Sequence, residues 1–253
     1  MRATRAMYRA GFWARSWDHF MRQVHFAWNL EGIKGSRHPR LLQSFHQPNS
    51  VHEDLKLLSD KDIGGFSNAR IEWVAPCQEN WNGFLRFSGD ISTRLPPDDP
   101  AIMRSGYAAF RTHDMPPTLF GKSLWNIDPY AFLAMRIKSD GRSYLVNLQT
   151  DGLVPTDIHQ HRLFATRPGE WETVIFKWND FVRTNHGFPV EPQSELLRQK
   201  VKSIGIGLTD RVEGPFEICV EKIWATNEYD GDLYDSLPKP GLQVADVEII
   251  KDI

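Results

Sequence analysis

The sequence predicts an all-β fold, an antiparallel sandwich preceded by an amphipathic helical arm, and three observations carry this. Beyond about residue 40, apolar and polar residues alternate with a period of two in several separate segments, as strands with one face on a core require. Few helical stretches lie between those segments, which favours layered antiparallel sheets over a parallel α/β arrangement. Ahead of residue 40 the apolar residues recur at helical spacing instead. With 253 residues, 41% of them hydrophobic, the chain can fill one large core.

At the start, Arg2, Arg5, Arg9 and Arg15 precede the first acidic residue, Asp18, with no uninterrupted apolar region among them. This reads as mitochondrial targeting. From Phe12 to about Trp28, Trp13, Trp17, Phe20, Val24 and Trp28 fall on one helical face with Met21 beside them, while Arg15, Asp18, His19 and Arg22 fall on the other. Such a helix either packs on its own domain or presents a docking face to a protein or a membrane surface, with Arg15 and Arg22 at the polar boundary. The tryptophans favour docking. Gly32, Gly35 and Pro39 close this arm, residues 1–39.

The sandwich is expected over residues 40–227. Its strands are Leu41 to Phe45, Ala69 to Trp73, Gly83 to Ile91, Tyr107 to Arg111, Phe132 to Lys138, Tyr144 to Leu148, Trp171 to Trp178, Ser203 to Leu208 and Phe216 to Trp224. Asp140-Gly141 lies between two regular strands, so a hairpin is expected over residues 131–150 with this turn at its tip. The proline-containing stretches at 95–100 and 115–117 read as loops, and Ser194 to Lys200 as a short helix. After Glu228 the chain turns acidic without periodicity, an extended tail over 228–253.

A formal net charge of -2 with 25% charged residues points away from nucleic acid. Cys77 and Cys219 are the only cysteines, which fits a reducing compartment and suggests two core thiols. No stretch is long and apolar enough to span a membrane, so membrane contact would be peripheral. His159 and His161, with Asp157, would share one face of a strand. An exposed polar strand or loop gives the same pattern, and no matching Cys or His spacing completes a metal site. No Gly-x-Ser-x-Gly elbow is present, and no catalytic residue or cofactor is expected. Trp125, Trp171 and Trp224 are expected in the core. Trp73, Trp81 and Trp178 are candidates for stacking on a ligand, the rival reading being a module for a carbohydrate or lipid headgroup.

Asp62-Ile63-Gly64-Gly65-Phe66-Ser67 resembles the Asp-x-Gly-Gly-x-Ser element of the thirty-kilodalton complex I intermediate-associated protein family. Phe87-Ser88-Gly89-Asp90-Ile91, Asp140-Gly141-Arg142-Ser143-Tyr144, Trp171 to Phe181, and Gly214-Pro215-Phe216 with the strand to Ile223 agree in order and spacing, so the resemblance covers about residues 40 to 227. It implies a galactose-binding-like jelly roll. It also implies a non-enzymatic assembly factor for mitochondrial NADH:ubiquinone oxidoreductase (complex I) in the matrix, peripheral to the inner membrane. The implied partners are membrane-arm subunits and assembly intermediates, an acyl-CoA-dehydrogenase-like factor, other assembly factors and inner membrane lipids. Read as residues alone, Gly64 and Gly65 permit unusual backbone angles while Asp62 and Ser67 can bond nearby amides, a structural turn. Without a following Lys-Ser or Lys-Thr it is no phosphate loop. Asp140 and Gly141 are likewise turn residues, and Arg142 is expected to be able to point outward as a binding residue.

Overall fold

The computed structural model describes residues 11–228 except 37, 49–50, 52–53, 78–79, 81, 98–101 and 103, so residues 1–10 of the expected arm and all of the expected 228–253 tail but its first residue lie outside the described residues. Two helices come first, α1 (Phe12–Trp28) and α2 (Glu31–Lys34). Strands follow as β1 (Arg40–Ser44), β2 (Leu55–Ser59), β3 (Asn68–Val74), β4 (Phe84–Ile91), β5 (Ala108–Thr112), β6 (Phe132–Ser139) and β7 (Tyr144–Thr150). The remainder are β8 (Asp157–Leu163), β9 (Trp171–Lys177), β10 (Val182–Asn185), β11 (Phe188–Pro189), β12 (Val201–Leu208) and β13 (Gly214–Thr226). They form two antiparallel sheets, the jelly-roll sandwich expected from sequence.

One sheet runs β3-β4-β13-β6-β9, with β1 also paired to β13, and the other runs β11-β10-β8-β7-β12-β5-β2. On one edge of β13, residues 214–220 pair with β4 and residues 222–225 with β1. Glu221 sits at the change of partner, where a bulge interrupts the register. Its buried carboxylate accepts from Asn80 Nδ2 at 3.2 Å and Asn82 Nδ2 at 3.1 Å and lies 3.3 Å from His46 Nε2, pinning two loops to the bulge.

The inward side chains of both sheets meet in one core. Leu133, Met135 and Ile137 of β6 face Tyr144, Val146 and Leu148 of β7 across it, all fully buried. This corrects the expected hairpin. β6 pairs with β13 and β9, whereas β7 pairs with β8 and β12, so Asp140-Gly141 turns the chain from one sheet to the other. Strict alternation means one face on a core, and two facing strands of a sandwich satisfy it as well as two neighbours do. The short helix expected over Ser194 to Lys200 is reduced to one 3-10 turn, Arg198–Lys200. Four strands beyond the expected set are present, β2, β8, β10 and β11.

Of the two cysteines, Cys219 is buried on β13 as expected, but Cys77 is exposed. Burial, and secondarily the nearby Glu217 carboxylate, push the Cys219 thiol up to about 11. At about pH 8 a maleimide should therefore label Cys77 quickly in the native protein and Cys219 only after denaturation. Mass analysis after a short pulse checks this, and rapid double labelling of folded protein would count against the assigned burial.

Candidate functional site

The helix α1 meets the sandwich through its polar side. Ser16, its one buried residue, donates to Phe12 O at 2.9 Å and accepts the Leu119 backbone N–H at 2.9 Å. Phe120, next along the same loop, stacks on His19 at 5.4 Å and on Phe20 at 6.4 Å. Arg15, His19, Arg22 and Phe26 are half-buried on this side. Arg22 Nε donates to Asp18 O at 3.1 Å. Beneath it, Arg40 donates to Asn126 O, and burial together with the Arg22 charge pulls the Arg40 guanidinium down to about 10. The linker after α2 is clamped by Asn227, whose Nδ2 donates to Ser36 O at 2.9 Å and Pro129 O at 2.7 Å.

With its polar side inward, α1 turns the apolar stripe to solvent. Trp13 is 74% exposed, Trp17 63% and Trp28 85%, and Phe20 and Val24 are also exposed. Trp17 and Phe20 lie 5.8 Å apart, so the stripe continues through Phe20 to Phe120. Leu119 and Phe120 are thus part of the surface, although no periodicity marks them. Their trace in the sequence is two adjacent apolar residues between Pro117 and Gly121 in a loop.

The family-motif residues occupy structural positions. In the Asp-x-Gly-Gly-x-Ser element Asp62 is exposed, and the carboxylate at the centre of the turn belongs to Asp60, two positions earlier. Asp60 accepts from Ser67 N at 3.0 Å, Ser67 Oγ at 2.7 Å and Gly106 N at 2.8 Å. Gly64 turns the chain at φ 84°, and a Cβ on Gly65 would come within 2.4 Å of Asp60 Cγ. At the inter-sheet turn Gly141 has φ 90°. Asp140 accepts from Arg142 N, Tyr144 Oη and Glu217 N. Arg142, expected to be able to point outward, instead turns inward. Its Nε and Nη2 bind Asp210 at 3.0 and 2.7 Å, and its guanidinium also donates to the carbonyls of Val212, Gly214 and Pro215. Those carbonyls and the Asp210 charge supply the reason.

His159 and His161 do share a face of β8, and it is the core face. His161 packs on Phe176 at 5.1 Å and Phe181 at 5.3 Å, while Asp157 bonds Asn185 at 2.6 Å. Among the described residues no group of three or more His, Cys, Asp or Glu could hold a metal ion. Burial depresses both imidazoles below their ordinary value of 6.5. They are neutral when folded and take up protons more readily when unfolded, so the stability they permit is complete above about pH 6.5 and declines as pH falls below it. The urea midpoint should accordingly drop between about pH 7.5 and 5.5, and His161→Phe should flatten that dependence. An unchanged slope in the variant would assign the loss to other groups.

Trp125 is in the core as expected, whereas Trp171 and Trp224 are only half-buried. Trp178 is a core plug at 1% exposure, and the Trp73 Nε1 donates to Phe45 O at 3.0 Å against the core, so neither is a free stacking platform. Trp81 lies outside the described residues. An open cleft of about 470 Å³ on the outer face of β3, β4 and β13 is lined by Asn68, Arg70, Ser88, Asp90, Asp140 and Glu217, with Phe216 as its ring. Phe216 is buried and offers no face for a sugar.

Comparison with known proteins places these features. The family model described as Complex I intermediate-associated protein 30 matches residues 43–220. The chain is 51% identical over 247 residues to the mitochondrial complex I intermediate-associated protein 30 of Neurospora crassa, covering 91% of this chain and 88% of that one. To the protein of the same name from Mus musculus it is 29% identical, covering 65% of this chain and 49% of the mouse chain. Among solved structures, the family 11 carbohydrate-binding module of the cellulosomal cellulase Lic26A-Cel5E of Clostridium thermocellum is similar with a TM-score of 0.52. That match has 13% identity and covers 77% of this chain and 99% of the module, a likeness of fold alone.

Proposed function

Because the chain belongs to the complex I intermediate-associated protein 30 family, we propose that it is a non-enzymatic assembly factor for mitochondrial complex I. In this reading it holds membrane-arm subunits and assembly intermediates together with an acyl-CoA-dehydrogenase-like factor and other assembly factors. It works in the matrix, peripheral to the inner membrane, without a cofactor. The observation that carries the reading is the 51% identity across 91% of the chain to a relative named for complex I intermediates and for mitochondria. Its chemistry is in keeping. The buried carboxylates Asp60, Glu172 and Glu221 are committed to structural donors, the commitment expected of a framework rather than of a reacting group. The exposed α1 stripe, braced from behind by Arg15 and Arg22, is the docking face that keeps the protein where those intermediates form.

The test is complementation. Mitochondria lacking this chain should have little mature complex I and should accumulate partial complexes on native gels, and the wild-type chain should restore the mature form. Normal complex I in its absence would overturn the assignment.

A further inference from the structure

We propose that the outer face of the sheet β11-β10-β8-β7-β12-β5-β2 is a docking surface for an acidic, extended segment of a partner protein. This rests on the assembly role above and names the kind of segment the sandwich itself holds, apart from α1. The strand registers place Lys56 of β2, Arg111 of β5, Gly205 of β12, Asn147 of β7 and Gln160 of β8 in one row. Beside them along the strands Leu55, Phe110, Ile204 and Val146 are in the core, so the row faces outward. Lys56 and Arg111 stand directly opposite each other, a like-charge pair that costs a sheet stability. Asp114 binds Arg111 at 3.2 Å and Lys202, from the bulge of β12, at 2.9 Å, so one carboxylate is shared by two cations. Lys56 is exposed and has no ion-pair partner among the described residues. Arg162, which pairs with Leu145 on the same face, donates to Ser143 Oγ at 3.0 Å rather than to an acid. Lys56, Arg111, Arg162 and Lys202 therefore face Asp114 alone and leave this surface basic. On the outer face of the other sheet the signs interleave, Arg70 with Glu72 at 3.4 Å and Arg86 with Glu217 at 3.7 Å.

The neutral half of the row is turned the same way. Thr184 Oγ1 donates to Gln160 Oε1 at 2.8 Å, and Gln160 Nε2 donates to Asn147 Oδ1 at 2.8 Å. That chain leaves Asn147 Nδ2 as the unspent group, and it lies in the space that Gly207 clears, since a Cβ there would come within 2.9 Å of it. What the row offers a ligand is thus donors and positive charge, the complement of carboxylates, which only accept. From Lys56 to Gln160 the row crosses four strand spacings, about 19 Å. One small anion cannot bridge that distance, whereas about six residues of extended chain can. The outward strand positions of this face carry no aromatic ring, so the stacking platform that holds single-stranded nucleic acid is missing from them.

Fluorescence anisotropy of the purified full chain tests this with a labelled peptide of alternating Glu and Thr, the same peptide with Gln in place of Glu, and a thymidine oligonucleotide of equal charge. The wild type should bind the Glu peptide, less tightly as salt rises, and the Gln peptide about tenfold more weakly. Lys56→Glu should weaken the Glu peptide about tenfold and leave the melting temperature unchanged or higher, because it turns the opposed cations into an ion pair with Arg111. Arg70→Ala, on the other sheet, should bind as the wild type does. No binding of the Glu peptide, equal binding of the Gln peptide, tighter binding of the oligonucleotide, or an unaffected Lys56→Glu variant overturns the inference. In mitochondria lacking the chain, Lys56→Glu should restore complex I poorly where the wild type restores it. Full restoration by Lys56→Glu overturns the inference and leaves the assembly role standing. If the wild type binds the Glu peptide as described but fails to restore complex I, the assembly reading falls while the site for an acidic segment stands.

Discussion

Asp60→Ala is expected to destabilise the sandwich by about 3 to 4 kcal/mol and to lower its melting temperature by about 10 °C. The carboxylate is 0% exposed and accepts the backbone N–H groups of Ser67 and Gly106 together with the Ser67 hydroxyl, which also reaches Ser92 O at 3.2 Å. Removing it strands two buried amides, at roughly 1 to 3 kcal/mol each. Relief from burying an ionised group offsets part of this. Gly65→Ala acts on the same turn from the other side, because its Cβ would fall 2.4 Å from Asp60 Cγ. The two substitutions share one cause and should not add. In the Asp60→Ala background the contacts with Cγ and Oδ2 are gone while the Cβ of residue 60 still lies 2.7 Å from the added methyl group, so Gly65→Ala should cost less there than in the wild type without becoming neutral. A double-mutant cycle by urea denaturation measures this, and simple additivity would show that the contact between Gly65 and Asp60 is not what the glycine serves.

Arg142→Ala is the second large effect, expected at about 3 kcal/mol. The Arg142 and Asp210 side chains are 14% and 11% exposed, so the pair is mostly sheltered from solvent. Truncation leaves the Asp210 carboxylate and the carbonyls of Val212, Gly214 and Pro215 without their shared donor. Arg142→Lys should recover little, since one ammonium cannot reproduce a planar fork that bonds a carboxylate at two points and three carbonyls besides. Hydrogen exchange should locate the damage at residues 209–217, where the loop enters β13. Full rescue by lysine would mean that charge alone holds the loop.

The contrast between these two sites bears on what a sequence discloses. The Asp140 and Asp62 motifs were both legible as turns, but the bonding partners were not. Asp60 lies just outside its motif and is singled out only because Gly106, 46 positions away, returns beside it. Alternation located β6 and β7 almost to the residue, yet it reports a buried face and not the sheet that face belongs to. Strand β8 was obscured because His159 and His161, polar by type, point into the core and erase the apolar period. The α1 stripe was the reverse case. Helical spacing gave its length and its two faces, while which face meets solvent depended on Ser16 and the Leu119 amide, a contact across 103 positions.

The central claim, an assembly factor bound to complex I intermediates, is tested most directly by affinity capture of the tagged full chain from mitochondria, followed by mass spectrometry. The account predicts membrane-arm subunits of complex I together with other assembly factors, including an acyl-CoA-dehydrogenase-like protein, in amounts that fall when mature complex I is allowed to accumulate. Capture of no complex I subunit, or retention on glycan instead, would contradict it.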